Sequence, residues 1–443
     1  LDKIGISSSG KEITSKEVGV KKILTIALFG LIVLAQANLG HGAGFLIYEH
    51  GAAAMAMAGA FVSVADDPSA IWHNPAGIAF LRGTQFSVGT TLIWSGATME
   101  LPNWPVPSQR NWNQVEQMFY PSNFYFTQSL SDRVTLGFGF FSPFGLGAEW
   151  PAENPLRYLG YKDDMKTFFF NPTVGIKLSD QFSLGLGFSY IYSTVLFKLI
   201  NVADLREYGA GVYDVPESLE GNGDSFNFNA GLLYKGDQVN FGVSFRSAFS
   251  IKYSGDITAD TSVLPPPFNT LFPSTAEGGT TFKFPGILSF GFSVNASKKL
   301  LLSLDANYVL WSRFDEYVIT FDNPELGEQT VPENFKDSWT FRIGAQYKAT
   351  EKLALRAGFL YDLTPQPADT MDPLLPDADR YAFTFGIGYT FGKFILDVTY
   401  HHEIFSERTA PNRYIYQFAN INLGEGIYNT TADLVGISLS FVF

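Results

Sequence analysis

Residues able to do covalent or metal chemistry are scarce in this 443-residue chain: it has no cysteine and five histidines. It also lacks any GxSxG, HExxH or P-loop arrangement. No catalytic residue, metal site or cofactor is therefore expected, and the chain does not read as an enzyme. His401 and His402 are adjacent, so on a strand they face opposite sides and cannot share an ion with each other. Both read as solvated or interfacial. Asp163 with Asp164, and Asp377 with Asp379, are placed in outer loops, where calcium or a bridging cation could bind, although solvated acids are the simpler reading. Asp66 and Asp67 are expected to pin their segment to inward arginines such as Arg342 or Arg356.

One constellation does suggest binding. Alternation puts Lys336 on the same face as Ser338, Thr340 and Arg342, at the outer end of a strand. Three runs break the alternation and are apolar on both faces: Phe168, Phe169 and Phe170; Val195, Leu196 and Phe197; Val309, Leu310 and Trp311. Each residue taken singly fits an aromatic girdle at a membrane interface. Taken together, Phe168 to Phe170, Leu196 and Trp311 are better explained as an apolar lumenal pocket with Lys336 at its rim. Such a pocket would hold an alkyl chain while the ammonium pairs with a carboxylate.

The elements that would position this pocket are strands. From Thr84 to Phe443 about fourteen alternating apolar segments follow one another, the even number expected of a bacterial outer-membrane barrel. Trp339, Phe341, Ile343, Ala345 and Tyr347, for instance, interleave with Ser338, Thr340, Arg342, Gly344 and Gln346. Short turns near 131–132, 179–181, 236–238, 298–299, 349–351 and 392–393 alternate with long loops, and the short side is expected to face the periplasm. The fold expected is all-β: a transmembrane antiparallel barrel over 83–443. One alternating strand runs into Ser142, Pro143, Phe144 and Gly145. Proline cannot donate to a ladder, so this step marks either a bulge in the wall or the start of an outer loop.

The stretch 43–82 obeys no strand pattern. It is rich in glycine and alanine and ends in a turn on Asn74, Pro75, Ala76 and Gly77, which resists both helix and ladder. Small inward residues on the strands leave volume for it, and it is expected to plug the lumen. An open porin would instead line that space with charge, and an adhesive or structural barrel would need no plug. Composition agrees with a membrane barrel, with 42 Gly, 42 Phe and 21 Tyr and only 16% charged residues. The net charge of -13 argues against nucleic acid. Residues 1–42 read as a secretory signal with an upstream extension. Lys21 and Lys22 precede an apolar run from Ile23 to Ala35, with cleavage expected after Ala37 or after Gly42. Val20 is a candidate start.

Ala43–Gly44–Phe45, the Ala65–Asp66–Asp67 step and the Trp72 to Gly77 turn, ahead of a long alternating region, resemble the FadL family of outer-membrane transporters of long-chain fatty acids and other hydrophobic compounds. Trp311, Ser312 and Phe314 (WSxF), Phe335 to Asp337 (FKD) and Pro376, Asp377, Asp379 and Arg380 (PDxDR) resemble it as well. The resemblance implies a monomeric plugged barrel in the outer membrane of a Gram-negative bacterium, in contact with its lipid and carrying a hydrophobic small molecule. It implies a third strand kinked inward at Ser142 to Gly145, opening the wall sideways. It also implies that Ala43, Gly44 and Phe45 shift during transport and that Lys336 holds a fatty-acid head group. The arginine expected on the fifth strand near Thr194 and Lys198 is missing, which leaves an aromatic hydrocarbon open as the substrate.

Overall fold

A computed structural model describes residues 44–271, 274–322, 328–371, 373–411 and 425–443. The expected signal, both cleavage positions, Val20 and Ala43 lie outside them. Fourteen antiparallel strands close on themselves. They are β1 (Thr84–Glu100), β2 (Asn111–Asn113, Gln117–Phe119 and Ser122–Ser129), β3 (Val134–Phe141 and Gly145–Glu149), β4 (Lys162–Lys177) and β5 (Phe182–Asp204). Next come β6 (Val212–Lys235), β7 (Val239–Arg246 and Phe249–Ala259), β8 (Thr275–Phe284 and Ile287–Asn295), β9 (Leu300–Val309 and Glu316–Phe321) and β10 (Glu328–Pro332 and Ser338–Lys348). The circuit ends with β11 (Leu353–Asp362), β12 (Arg380–Phe391), β13 (Phe394–Phe405 and Arg408–Pro411) and β14 (Glu425–Val442). β14 pairs with β1 from Gln85 opposite Val442 to Glu100 opposite Ile427, so no edge is left unpaired at the seam.

Period-two alternation does the sorting. On β12, Phe383, Phe385, Ile387 and Tyr389 are exposed to the outside, while Ala382 and Thr384 are fully buried within. The tight turns fall where alternation breaks, as between Lys177 and Phe182 or Phe391 and Phe394.

The interior is filled by residues 44–81, the hatch. It contains two single-turn helices, α1 (Ala52–Met55) and α2 (Ala70–His73), and a 3-10 stretch Pro75–Phe80. Side chains of the wall bond to the backbone of the hatch. Thr399 Oγ1 donates to Ala52 O at 2.6 Å, Thr384 Oγ1 to Ala56 O at 2.9 Å and Arg342 Nη1 to Ala58 O at 2.7 Å. The Val62 amide donates to Asp305 Oδ2 at 2.8 Å. Asn74 anchors the base: its Nδ2 donates to Val62 O at 2.8 Å and to Leu232 O on β6 at 3.1 Å, while its Oδ1 accepts from Ala76 N.

Inward glycines make this fit possible by close approach. A Cβ on Gly185 would stand 2.1 Å from the Pro75 carbonyl carbon, on Gly231 2.0 Å from Asn74 Oδ1, and on Gly242 2.3 Å from Val62 O. No side chain fits at those distances.

The expected role of Asp66 and Asp67 is corrected. Asp66 is exposed, and Asp67 Oδ1 accepts from the amide and hydroxyl of Ser69, closing its own turn. Arg342 binds a hatch carbonyl instead, and Arg356 pairs with Asp397 at 2.6 Å. A carboxylate two residues from a serine satisfies itself locally before it reaches across a lumen.

A closed ladder resists detergent until heated, because no strand end is free to fray. The barrel is therefore expected to migrate differently in boiled and unboiled gel samples. A single unshifted band from membrane-extracted protein would contradict closure.

Candidate functional site

The third strand leaves the wall where proline removes a donor. Phe141 lies opposite Phe169 and Gly145 opposite Lys166, so three residues of β3 (142–144) face two of β4 (167–168). The extra residue makes a bulge. Phe144 turns inward and is buried. Its amide donates to Thr167 Oγ1 at 3.1 Å, and that hydroxyl donates back to Phe144 O at 2.7 Å. The alternative that Pro143 opens an outer loop is set aside, since β3 resumes and runs to Glu149.

On its other side β3 loses its neighbour. The ladder with β2 ends at Phe124 opposite Phe140, and the next backbone bond across the seam runs from Val115 N to Glu149 O at 2.7 Å. Among the described residues the hatch supplies the bonds there: Ile47 N donates to Pro143 O at 2.8 Å, and Gly145 N donates to Phe45 O at 3.2 Å. The wall at this point is closed by the hatch rather than by its own strand.

Directly inside the kink lies an aromatic cluster with Phe45 at its centre. The Phe45 ring is 4.8 Å from Trp311, 5.4 Å from Phe314, 5.8 Å from Phe284 and 6.2 Å from Phe144, centroid to centroid. Phe335 extends it, 5.7 Å from Trp311. Phe249 and Phe284 stack at 4.6 Å, and Phe169 meets Phe249 edge-on at 5.6 Å. Such offset and edge contacts each add about 0.5–1.5 kcal/mol to the area buried.

Of the expected pocket residues, Phe169 and Trp311 are here, both fully buried. Phe168, Phe170 and Leu196 are not. Strand parity holds through the phenylalanine run, so Phe168 and Phe170 face outward against Phe140. Leu196 likewise shares the outer face of Tyr190 and Tyr192, and its neighbour Val195 packs on the cluster instead.

Lys336 is also displaced from its expected position. β10 breaks between Pro332 and Ser338, and Asn334 takes a left-handed φ of 54°. Parity cannot be carried across such a break. Lys336 is exposed, its amide bonded to Pro365 O at 2.8 Å, while Phe335 takes the inward position.

A different cation lies within. Arg246, at the inner break of β7, is 5% exposed and stacks over Trp72 at 4.6 Å and Phe141 at 5.4 Å. Its Nη1 and Nη2 have no hydrogen-bond partner, and neither do the nearby Tyr125 hydroxyl and Trp72 Nε1. Arg246 and Trp72 line a cavity of about 10 Å³ together with Tyr48, His73, Ser244, Ile287 and Ser289, room for about one water. Phe141 stacks on Phe169 at 5.7 Å, so the site is continuous with the aromatic cluster.

The outer end of the hatch is latched by an acid. Gly44 N donates to Asp377 Oδ2 at 3.2 Å, and the Thr364 hydroxyl donates to the same carboxyl. Burial pushes Asp377 up to about 6, opposed by Thr364 and Arg380. Asp377 and Asp163 are therefore not solvated loop acids. Asp163 is buried on β4 and accepts from Ala148 N at 2.6 Å.

A closed barrel filled by its own N-terminal segment, kinked inward at its third strand over an aromatic cluster, can be compared with known proteins. The sequence profile of the outer membrane protein transport proteins (OMPP1/FadL/TodX) matches residues 33–442. The chain belongs to the FadL family. It is an outer-membrane transporter of hydrophobic compounds. It is 24% identical over 404 residues to the long-chain fatty acid transport protein of Escherichia coli O6:H1, covering 84% of this chain and 89% of that one. It is 25% identical over 409 residues to outer membrane protein P1 of Haemophilus influenzae, covering 82% and 86%. Among solved structures, a FadL homologue of Pseudomonas aeruginosa superposes with a TM-score of 0.76 at 19% identity, covering 90% of this chain and 100% of that one. The Pseudomonas putida toluene transporter TodX gives 0.70 at 15% identity, covering 91% and 99%.

The FadL-like blocks of the sequence converge on the hatch. Phe45 fills the cluster, Asn74 to Gly77 fit against the inward glycines, and Ser142 to Gly145 form the kink. Trp311 and Phe314 of WSxF pack on Phe45, as does Asp377 of PDxDR on Gly44. Asp337 of FKD pins the β9 turn, accepting from the Tyr308 hydroxyl and the Ser312 amide, both at 2.9 Å. Arg246 carries no motif; its signal in the sequence is that it shares a strand face with Asn240, Gly242 and Ser244 and is the one charge there.

Proposed function

We propose that this monomeric FadL-family barrel takes up long-chain fatty acids and releases them sideways through the kinked third strand. The observation that carries the reading is that the hatch strap 44–50 fills the aromatic cluster and closes the gap in the wall beside it, with Arg246 adjoining the cluster through Phe141 and Phe169. Displacing the strap would vacate the cluster and open the gap together. An alkyl chain takes the place of Phe45 among Phe144, Phe169, Phe284 and Trp311, and its carboxylate meets Arg246. Lys336, exposed near the outer rim beside Phe335, serves capture rather than final binding. Support from relatives comes from the fatty acid transport protein of Escherichia coli named above.

A second reading, uptake of an aromatic hydrocarbon as in TodX, is favoured by one feature: the cluster is lined almost wholly by rings, which suit a flat neutral ligand as well as a chain.

The test is a double variant, Pro143→Val with Gly145→Val. It restores one ladder donor and β propensity at the kink, together about 1–2 kcal/mol toward a closed wall, which should slow fatty-acid uptake by roughly 5- to 30-fold. Binding in detergent should change little, because the nearest atom to a Cβ at position 145 is the flexible end of Ile47, at 2.9 Å, and not a ring of the cluster. Wild-type uptake by a properly inserted double variant would remove the lateral route.

A further inference from the structure

We infer that Glu49, His401 and Glu403 form a divalent-cation site that clamps the hatch to the barrel wall. Glu49 belongs to the hatch strap, and His401 and Glu403 are successive inward residues of β13. All three are buried, and one ligating atom from each lies within 4.8 Å of the other two. Two carboxylates and an imidazole are the donor set of zinc and the other borderline divalent metals.

Two independent features point to a missing cation. The first is His401: it is 1% exposed, and while its Nε2 lies 3.2 Å from Glu403 Oε1, its Nδ1 has no hydrogen-bond partner. A buried unmet ring nitrogen costs about 1–3 kcal/mol, and a metal ion held among these carboxylates would give the imidazole a partner. The second is charge. Arg380 pairs with Asp362 and with Glu403, each at 3.1 Å, and Glu49 stands in the same buried group. Asp362, Glu403 and Glu49 stand around Arg380, with Arg342 the further cation acting on Glu403, so carboxylates outnumber guanidinium groups in a low-dielectric interior, where unbalanced charge is costly. A bound cation would offset the excess. The ligand atoms need to close by about 1 Å to reach zinc distances of roughly 2.0–2.2 Å, a movement within reach of side-chain rotation.

Glu49 lies four residues from Phe45 and two from Ile47, the residues whose backbone bonds hold the strap to the kink, so a bound ion would hold the strap in the closed arrangement. That consequence rests on the transport reading above, whereas the site itself does not.

The experiment uses the full-length barrel in detergent, stripped with chelator and titrated with Co2+, whose visible absorption reports nitrogen and oxygen coordination. The expected result is one Co2+ per chain, displaced by Zn2+ and not by millimolar Ca2+. Both Glu49→Gln and His401→Asn should weaken binding at least about tenfold, the loss of one ligand from a small site. Glu49 is outside the wall, so Glu49→Gln leaves the ladder intact, and unchanged heat-dependent gel mobility confirms it. No saturable Co2+ binding, or binding unaltered by either variant, would overturn the site whatever the transported molecule proves to be.

Discussion

Deleting residues 44–81 is expected to turn a closed barrel into a conducting one. The wall does not depend on the hatch for its ladders, which run continuously from β3 through β14 to β1 and on to β2. What the hatch does is occupy the lumen, where the inward face is small or hydrophilic: Ser183, Thr384, Thr399, Ser438 and the glycines that touch its backbone. With the segment gone, Asp305, Arg342 and Asp397 would line a hydrated passage, and water would meet the polar groups that hatch carbonyls and amides now satisfy. In planar bilayers the intact protein should show no stepwise current at potentials where the deletion variant does. Indistinguishable conductance from the two would mean that the segment does not seal the barrel.

The second large effect is expected at Arg246→Met, which keeps most of the apolar stem and removes the charge. A carboxylate bonded to a buried guanidinium is worth about 1.5–3 kcal/mol, so fatty-acid affinity should fall by roughly 10- to 150-fold. Toluene affinity should stay or rise. The ligand-free variant should be at least as stable as the parent, because an unpaired buried charge has been exchanged for an apolar side chain. Lys336→Met, at an exposed position, should cost fatty-acid binding only about 0.2–1 kcal/mol, fading with salt. Dissociation constants for both ligands on both variants distinguish the readings. An unchanged fatty-acid constant in Arg246→Met would favour the neutral hydrocarbon.

Strand positions and tight turns were legible because a barrel wall enforces a two-residue period over its whole length and tolerates few exceptions. Ser142 to Gly145 were legible for the opposite reason, as proline on a ladder must be accommodated somehow. Alternation misleads where it is carried past its element. Phe168 to Phe170 look like a break in alternation, yet a strand can be aromatic on both faces when one side meets hydrocarbon. Parity does not place Lys336 across the break that Asn334 makes. Arg246, Asp305, His401 and Glu403 carry no motif. Each is a lone polar group on an inward face, and only the neighbouring strands and the hatch reveal what surrounds it.

The glycine contacts at the base also determine how the hatch can move. Pro75, Asn74 and Val62 touch wall glycines with no clearance, on β5, β6 and β7, so the base cannot slide along the barrel axis without forcing strands apart. The strap 44–50 is held differently, by ring packing and a few backbone bonds to the kink and to Asp377. Gly51 separates the two at φ 80°, with its α-carbon packed so tightly on Ser69 that a Cβ would lie 2.8 Å from the serine Cβ. On the uptake route proposed above, opening would be the swing of an arm about a fixed socket, freeing the wall beside the third strand while the tight-turn end of the barrel stays corked.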